Sequence, residues 1–126
     1  MDDDSRRLPD QATGEDASGE TKELAAAMVQ IYKRQFGRGP TRSHAAYANK
    51  DLLICTLEDS LTPAEKRMAE MNEHQRLRDI RMFFQHACGT EFTTTVEDIT
   101  GRKVRAFVSG LDTNKDVSSE VFYLEP

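Results

Sequence analysis

The sequence predicts an α+β domain: a helix, a β-hairpin, two helices and a second β-hairpin, forming a four-stranded antiparallel sheet with helices packed on one face. Three observations predict it. Apolar residues recur at helical spacing in two parts of the chain, β-prone runs flank polar turns at two others, and a Thr-Pro helix start stands near the middle. The length of 126 residues is typical of a single domain.

The N-terminal segment differs in composition from the rest of the chain. Residues 1–20 are rich in Asp, Glu, Ser and Gly, and they contain almost no large apolar residue beyond Leu8. Such a segment cannot bury enough apolar surface to offset the entropy lost on ordering. We therefore predict a disordered acidic tail over residues 1–20 and a single domain over residues 21–126.

The first helix is predicted to begin at Thr21, whose hydroxyl suits an N-cap, and to end at Gly37, a residue common after helix C-termini. Leu24, Met28 and Ile31 recur at helical spacing between them. The Gly37–Pro40 segment that follows is predicted to be a tight turn.

Two strands are predicted over His44–Asn49 and Leu52–Glu58, joined by a polar turn. The second run is almost continuously apolar. This pattern indicates a central strand that is covered on both faces, or one that a partner chain covers.

The Leu61–Glu65 segment carries the clearest local signal in the chain. Thr62 is the predicted N-cap, a proline follows it, and Glu65 completes a capping box. A break is expected near Asn72, followed by a long helix towards Ile99 that Gly101 closes, with a kink near Gly89 as one alternative. The predicted inner side of the long helix comprises Leu77, Ile80, Phe83, Phe84, Ala87 and Cys88.

A final hairpin is predicted from a strand over Val104–Ser109, a loop over Gly110–Asp116 and a strand over Val117–Leu124. The alternating Asp112, Asn114 and Asp116 are similar to the start of a calcium loop. Val117 and Tyr123, however, occupy the places of the required glycine and glutamate. We therefore predict a turn there. The apolar residues close to the C-terminus are expected to pack into the fold.

Basic residues surround the glycine turn, and they suggest an anion site. The backbone amides of Gly37 and Gly39, with the side chains of Arg38 and Arg42, are the candidate binding groups for a small anion or nucleotide. The alternative is a helix C-terminus whose dipole attracts basic side chains. A second basic group, Arg76, Arg78 and Arg81, is expected to be a solvated surface or to pair with acids of a partner.

Several classes of function lack sequence support. No catalytic triad, nucleotide fingerprint, CxxC pair or HExxH motif occurs, so we predict no enzymatic activity, no cofactor and no metal site. The net charge of −5 argues against nucleic-acid binding. Cys55 and Cys88 are predicted to be buried free thiols, with a disulfide or ligand role as the alternative. No apolar run is long enough for a membrane span, so a cytoplasmic location without membrane insertion is expected.

Taken together in order and spacing, several blocks of the chain resemble the MpsC-type domain. They are Phe36–Pro40, Leu61–Glu65, Leu77–Phe84, Thr100–Val104, Glu120–Phe122 and Leu124–Pro126. MpsC is a small bacterial domain named for a Na⁺-translocating, membrane-potential-generating system. The resemblance covers Leu24 to Pro126, and the chain departs from the pattern in its acidic tail and around Cys88–Thr90 and Thr93–Thr95.

The resemblance implies a soluble companion of a membrane ion or inorganic-carbon uptake system, and it carries over no catalytic residues. We therefore expect a non-enzymatic cytosolic accessory or regulatory domain that acts through protein contacts, with a membrane transporter subunit as one partner. The alternative is a small-anion or nucleotide sensor at the glycine turn. A homodimer is also expected, because the Leu52–Leu57 strand and the C-terminal strand suggest sheet edges that could pair between subunits.

Overall fold

Three helices and one four-stranded antiparallel sheet make up residues 14–126, the part of the chain that this computed structural model describes; side chains are described from residue 19 onward. This architecture confirms the predicted α+β fold. The elements are α1 (Gly14–Phe36), β1 (Arg42–Asn49), β2 (Leu52–Glu58), α2 (Pro63–Glu70), α3 (His74–Thr100), β3 (Val104–Asp112) and β4 (Val117–Leu124).

The strand order in the sheet is β1-β2-β4-β3, and every neighbouring pair is antiparallel. The two hairpins therefore meet through β2 and β4, which are the inner strands. The central position predicted for β2 is confirmed. The prediction that β2 and β4 form sheet edges is wrong, because each pairs on both sides, and the edges are β1 and β3.

Helix α1 begins at Gly14, earlier than the predicted start at Thr21. Residues 14–20 of the predicted tail are thus helical, and residues 1–13 lie outside the described part of the chain. A hydrogen bond to a distant residue stabilises the end of this extension. The Tyr47 hydroxyl of β1 donates to Glu20 Oε1 at 2.6 Å. The helix ends before Gly37, as predicted.

Helix α2 begins with the predicted capping box. The Thr62 hydroxyl accepts from the Glu65 amide at 3.2 Å, and the Glu65 carboxylate accepts from the Thr62 amide at 2.8 Å. The break near Asn72 is also observed, at a positive φ of 63°. Helix α3 then runs to Thr100 as one element through Gly89.

The inner side of α3 differs from the prediction. The helix buries Leu77, Arg81, Gln85, Phe92 and Val96. Ile80 and Phe83, which were predicted to face inward, are 43% and 67% exposed. The apolar pattern was misleading because two polar residues occupy core positions on this helix and find polar partners there.

The final hairpin is longer than predicted. Strand β3 continues to Asp112, so the loop shrinks to four residues, 113–116. The Asp112 carboxylate accepts from the backbone amides of Asn114 and Lys115, each at 2.9 Å, which confirms the predicted turn.

The hydrophobic core forms on one face of the sheet, beneath α1 and α3. Phe107 stacks on Phe122 at 4.8 Å and on Phe92 at 5.4 Å between ring centroids. Cys55 is buried and Cys88 is half-buried, and both are free thiols. The main core residues are Leu24, Met28, Ile31, Leu53, Leu57, Phe92, Val96, Phe122 and Leu124. The expected packing of the last apolar residues is thus confirmed.

Candidate functional site

The glycine turn after α1 has a structural explanation at both glycines. Gly37 adopts a φ of 78°, a left-handed conformation that favours glycine at a helix end. At Gly39 a Cβ atom would lie 2.9 Å from Lys33 Cγ and 3.1 Å from Val29 Cγ1. The turn therefore needs glycine for its own geometry, whatever else it binds.

The two arginines of the predicted anion site each pair with a carboxylate. Arg38 lies 3.1 Å from Asp59 Oδ2 and donates to the backbone carbonyls of Asp59 and Leu61. Arg42 lies 3.2 Å from Glu58 Oε1. The structure thus engages both guanidinium groups with acids of the same chain, and an anion site at Gly37–Pro40 stays a prediction.

A buried ion pair connects α3 with the start of α2. Arg81 Nε donates to Glu65 Oε2 at 2.7 Å, and Arg81 Nη2 donates to Glu65 Oε1 at 2.6 Å and to the Ser60 carbonyl at 3.1 Å. The Arg81 guanidinium also stacks on the Phe36 ring, 3.7 Å from its centroid. Because Arg81 is only 4% exposed, the expectation of a solvated basic group is wrong for this residue.

The ion pair also sets the charge state of its carboxylate. Burial raises the pKa of Glu65, but the hydrogen bonds and positive charge of Arg81, with the Thr62 amide, outweigh burial and leave that pKa below its ordinary value. Glu65 therefore caps α2 through Oε1 and neutralises Arg81 through both of its oxygens.

A second buried polar cluster centres on Glu120 in β4, which is fully buried. Its Oε2 accepts hydrogen bonds from the Tyr32 hydroxyl and, at 3.0 Å, from Gln85 Nε2. Its Oε1 is buried without a hydrogen-bond partner of good geometry, as is Gln85 Oε1. Burial raises the pKa of Glu120 to about 7, against the opposing effects of Tyr32, Ser109, Gln85 and the charge of Arg81.

Sequence reasoning did not single out these residues as a site, although a signal was present. Glu120 is in phase with Phe122 and Leu124 along β4, so strand alternation places its side chain on the core face. Arg81 and Gln85 follow Leu77 at four-residue intervals, which places them on its side of α3. Charged or polar residues in phase with core residues are the mark of a buried polar cluster.

A cavity of about 300 Å³ lies beside this cluster, between α3 and the β3–β4 hairpin. Arg78, Arg81 and Met82 line it from the helix, and Gly110 and Leu111 line it from β3. Glu120 is not among the residues that form its surface.

The sheet face opposite the helices carries a row of apolar side chains, which we call the open face. The strand register places Ala46, Ile54, Val121 and Val108 side by side across all four strands. Leu52, Tyr123 and Ala106 form a neighbouring row. Val108 is 55% exposed, and the helices of the described residues pack on the other face. The sequence predicts that β2 is covered on both faces or by a partner chain, and the helices of the described residues cover one face only.

A smaller apolar surface lies on α3, where Ile80 and Phe83 point away from the core. The Phe83 ring contacts Phe84, and Phe84 contacts Phe36, at centroid distances of 5.6 and 5.5 Å. The described residues therefore expose two apolar surfaces.

No helix among the described residues combines the length and the hydropathy required to cross a membrane. No group of three or more His, Cys, Asp and Glu side chains in the same part of the chain is placed to hold a metal ion.

Comparison with known proteins gives one family. The family model described as "Na+-translocating membrane potential-generating system (MpsC)" matches residues 19–126. No significant match is found among curated proteins or among solved structures.

Proposed function

Because this chain belongs to the MpsC family, whose description is that of a Na⁺-translocating membrane system, we propose that it serves such a system as a non-enzymatic accessory or regulatory domain that acts through protein contacts. The open face is the observation that carries this proposal. The family match supplies the link to the membrane system, and the domain acts from the cytoplasm.

The first occupant of the open face is a second copy of this chain. A β2 sequence that is apolar on both sides fits a strand between two packed layers, and α1 and α3 supply only one layer. Two open faces packed together would form a β-sandwich with a spacing of about 10 Å. Such a dimer has a two-fold axis, so the same face of each subunit forms the interface.

The size of the open face sets the strength expected of this dimer. Four strands spaced about 4.8 Å apart, each with about seven paired residues rising 3.3 Å, give a plan area of roughly 450 Å² per subunit. A stable interface buries about 800 Å² per partner. We therefore expect a dimer that dissociates on dilution, and a further partner can compete for the same surface.

The open face is also electrically suited to self-association. Arg42 and Glu58 pair with each other at one end of it, and Arg105 stacks 5.3 Å from the centroid of the Tyr123 ring at the other. Its centre carries no charged side chain. The charged side chains therefore lie at the ends of the face, and its centre can be buried without an unpaired charge.

The dimer is tested by light scattering over a dilution series with two matched variants. Val108→Asp places a charge on the open face at an exposed position, and Ile80→Asp places the same charge on the exposed side of α3. We expect Val108→Asp to give a monomer at concentrations where the wild type and Ile80→Asp are dimers. A wild type that is monomeric throughout, or a dimer that only Ile80→Asp disrupts, would show that the open face is not the subunit interface.

The accessory role is tested in the host cell. Removal of this chain should lower Na⁺-dependent membrane potential in everted vesicles while the membrane subunits remain at normal levels. Wild type and Ile80→Asp should restore the potential, whereas Val108→Asp should not. Unchanged potential after removal would refute the role in a Na⁺ system without affecting the result of the light-scattering experiment.

A further inference from the structure

The cavity between α3 and the β3–β4 hairpin is lined by Arg81, a guanidinium group with one nitrogen that makes no hydrogen bond within the described part of the chain. The Arg81 side chain is only 5% exposed, yet its Nη1 donates to no acceptor among the described residues, while Nε and Nη2 hold Glu65 and Ser60. Nη1 is also not among the fully buried atoms that lack a partner in the described residues, so part of its surface is accessible. Arg81 lines the cavity, so Nη1 is available to an acceptor inside it.

A second guanidinium stands at the same cavity. Arg78 is exposed and has no carboxylate partner among the described residues, and its only side-chain hydrogen bond there is a long one of 3.4 Å to the Thr113 hydroxyl. Arg78 is one turn from Arg81 on α3, so both reach the same space. Glu65 pairs with Arg81, and the charge of Arg81 also acts on the buried Glu120. The positive charge at the cavity that no carboxylate of the described residues pairs with is therefore that of Arg78.

The remaining walls set the size and shape of an occupant. Met82 and Leu111 provide apolar contacts, and the Ser109 and Gln85 side chains add polar groups. Gln85 is only 8% exposed, and its Oε1 has no partner. A volume of about 300 Å³ is at the lower end of the range for small-molecule pockets.

We propose that this cavity binds a small organic carboxylate, with the carboxylate on Arg81 Nη1 and Arg78 and an apolar body against Met82 and Leu111. Planar carboxylates suit guanidinium groups, whose donors lie in one plane. The Glu120 carboxylate lies outside the cavity lining, so it does not occupy the position of the ligand. This site is separate from the open face and does not rest on the proposed function.

The probes are benzoate and pentanoate, compared with benzamide and pentanamide, which have the same apolar bodies without the charge. Binding to the full chain is followed by titration in ¹H–¹⁵N NMR spectra at constant ionic strength. We expect saturable shifts of the Gln85, Ser109 and Leu111 amides with the carboxylates and at least tenfold weaker binding of the amides, about the effect of losing one charge-assisted contact. Bicarbonate and phosphate test whether charge alone suffices.

Two pairs of variants separate the site from general charge effects. Met82→Glu places a carboxylate at the cavity, and Met71→Glu places one on an exposed residue outside it. Met82→Glu should weaken benzoate binding roughly tenfold, and Met71→Glu should not. Arg78→Gln should weaken it about threefold, whereas Arg76→Gln, outside the cavity lining, should not.

Each result either supports or overturns the proposal. Saturable carboxylate binding that Met82→Glu and Arg78→Gln weaken, with normal binding by both controls, supports it. The absence of saturable binding up to tens of millimolar overturns it. Equal binding of the amides or of the inorganic anions also overturns it, as does loss of binding in the two control variants.

Discussion

Replacement of Glu120 with glutamine should abolish a pH dependence of stability that arises from one buried carboxyl group. The pKa of Glu120 is raised from an ordinary value of 4.5 to about 7, chiefly by burial. Between these values the folded chain keeps a proton that the unfolded chain releases. The free energy of unfolding therefore falls as pH rises through this range, and the whole of this loss of stability is present above about pH 7.

The magnitude follows from the same two values. Each pKa unit corresponds to about 1.36 kcal/mol, so a difference of about 2.5 between 7 and 4.5 amounts to roughly 3 kcal/mol. Glutamine has nearly the same shape, carries no charge, and can accept from Tyr32 and Gln85. We expect Glu120→Gln to unfold with a free energy similar to that of wild type near pH 5 and roughly 2–3 kcal/mol higher near pH 8.

Urea unfolding at several pH values, followed by circular dichroism, measures this difference. The groups that face Glu120 are Tyr32 from α1, Arg81 and Gln85 from α3, Ser109 from β3 and Cys55 from β2. Subtraction of the Glu120→Gln curve from that of wild type isolates Glu120 among all titrating groups.

The control is Glu70→Gln at an exposed glutamate, whose curve should run parallel to that of wild type. A difference between wild type and Glu120→Gln that stays constant from pH 5 to 8, or that changes with the opposite sign, would refute the reasoning.

Three further predictions concern stability, each measured by urea unfolding. Arg81→Met should cost about 3 kcal/mol because it leaves the partly buried Glu65 carboxylate without its counter-charge. Glu65→Met in the same chain should restore part of the loss, and a double variant no more stable than the single one would contradict this. Gly39→Ala should lower the free energy of unfolding by about 1–3 kcal/mol because its Cβ would collide with Lys33 and Val29. Gly89→Ala, in open space on α3, should instead raise the free energy of unfolding, by at most about 1 kcal/mol. Equal effects of the two substitutions would disprove the close approach at Gly39. Thr62→Ala should cost about 1 kcal/mol, and no loss would show that the capping box is unimportant.

The features that sequence reasoning found are those with local causes. The Thr62–Glu65 capping box depends on residues three positions apart, and the Leu52–Glu58 strand depends on its own apolar run. The turn at Asp112 likewise needs only the amides two and three residues on. Side-chain chemistry within a few residues sufficed for all three elements.

The features that it missed depend on partners far apart along the chain. Arg81 pairs with Glu65 sixteen positions away, and Glu120 meets Gln85 and Tyr32 at separations of 35 and 88 residues. A charged side chain in phase with core residues signals a buried position, but the sequence does not show which distant partner would satisfy it there. For the same reason the sequence predicts that Ile80 and Phe83 face inward, since polar residues are unsuited to a core unless their partners are known.

The central position of β4 has a consequence for synthesis of the chain on the ribosome. The β1–β2 hairpin and all three helices precede it along the chain, yet the sheet cannot be completed until β4 inserts between β2 and β3. Until then one edge of β2 has no partner strand at Leu53 and Leu57, which later pair with β4. An unpaired strand edge is prone to aggregate. We therefore expect the chain to be most prone to aggregate before β4 has paired with β2.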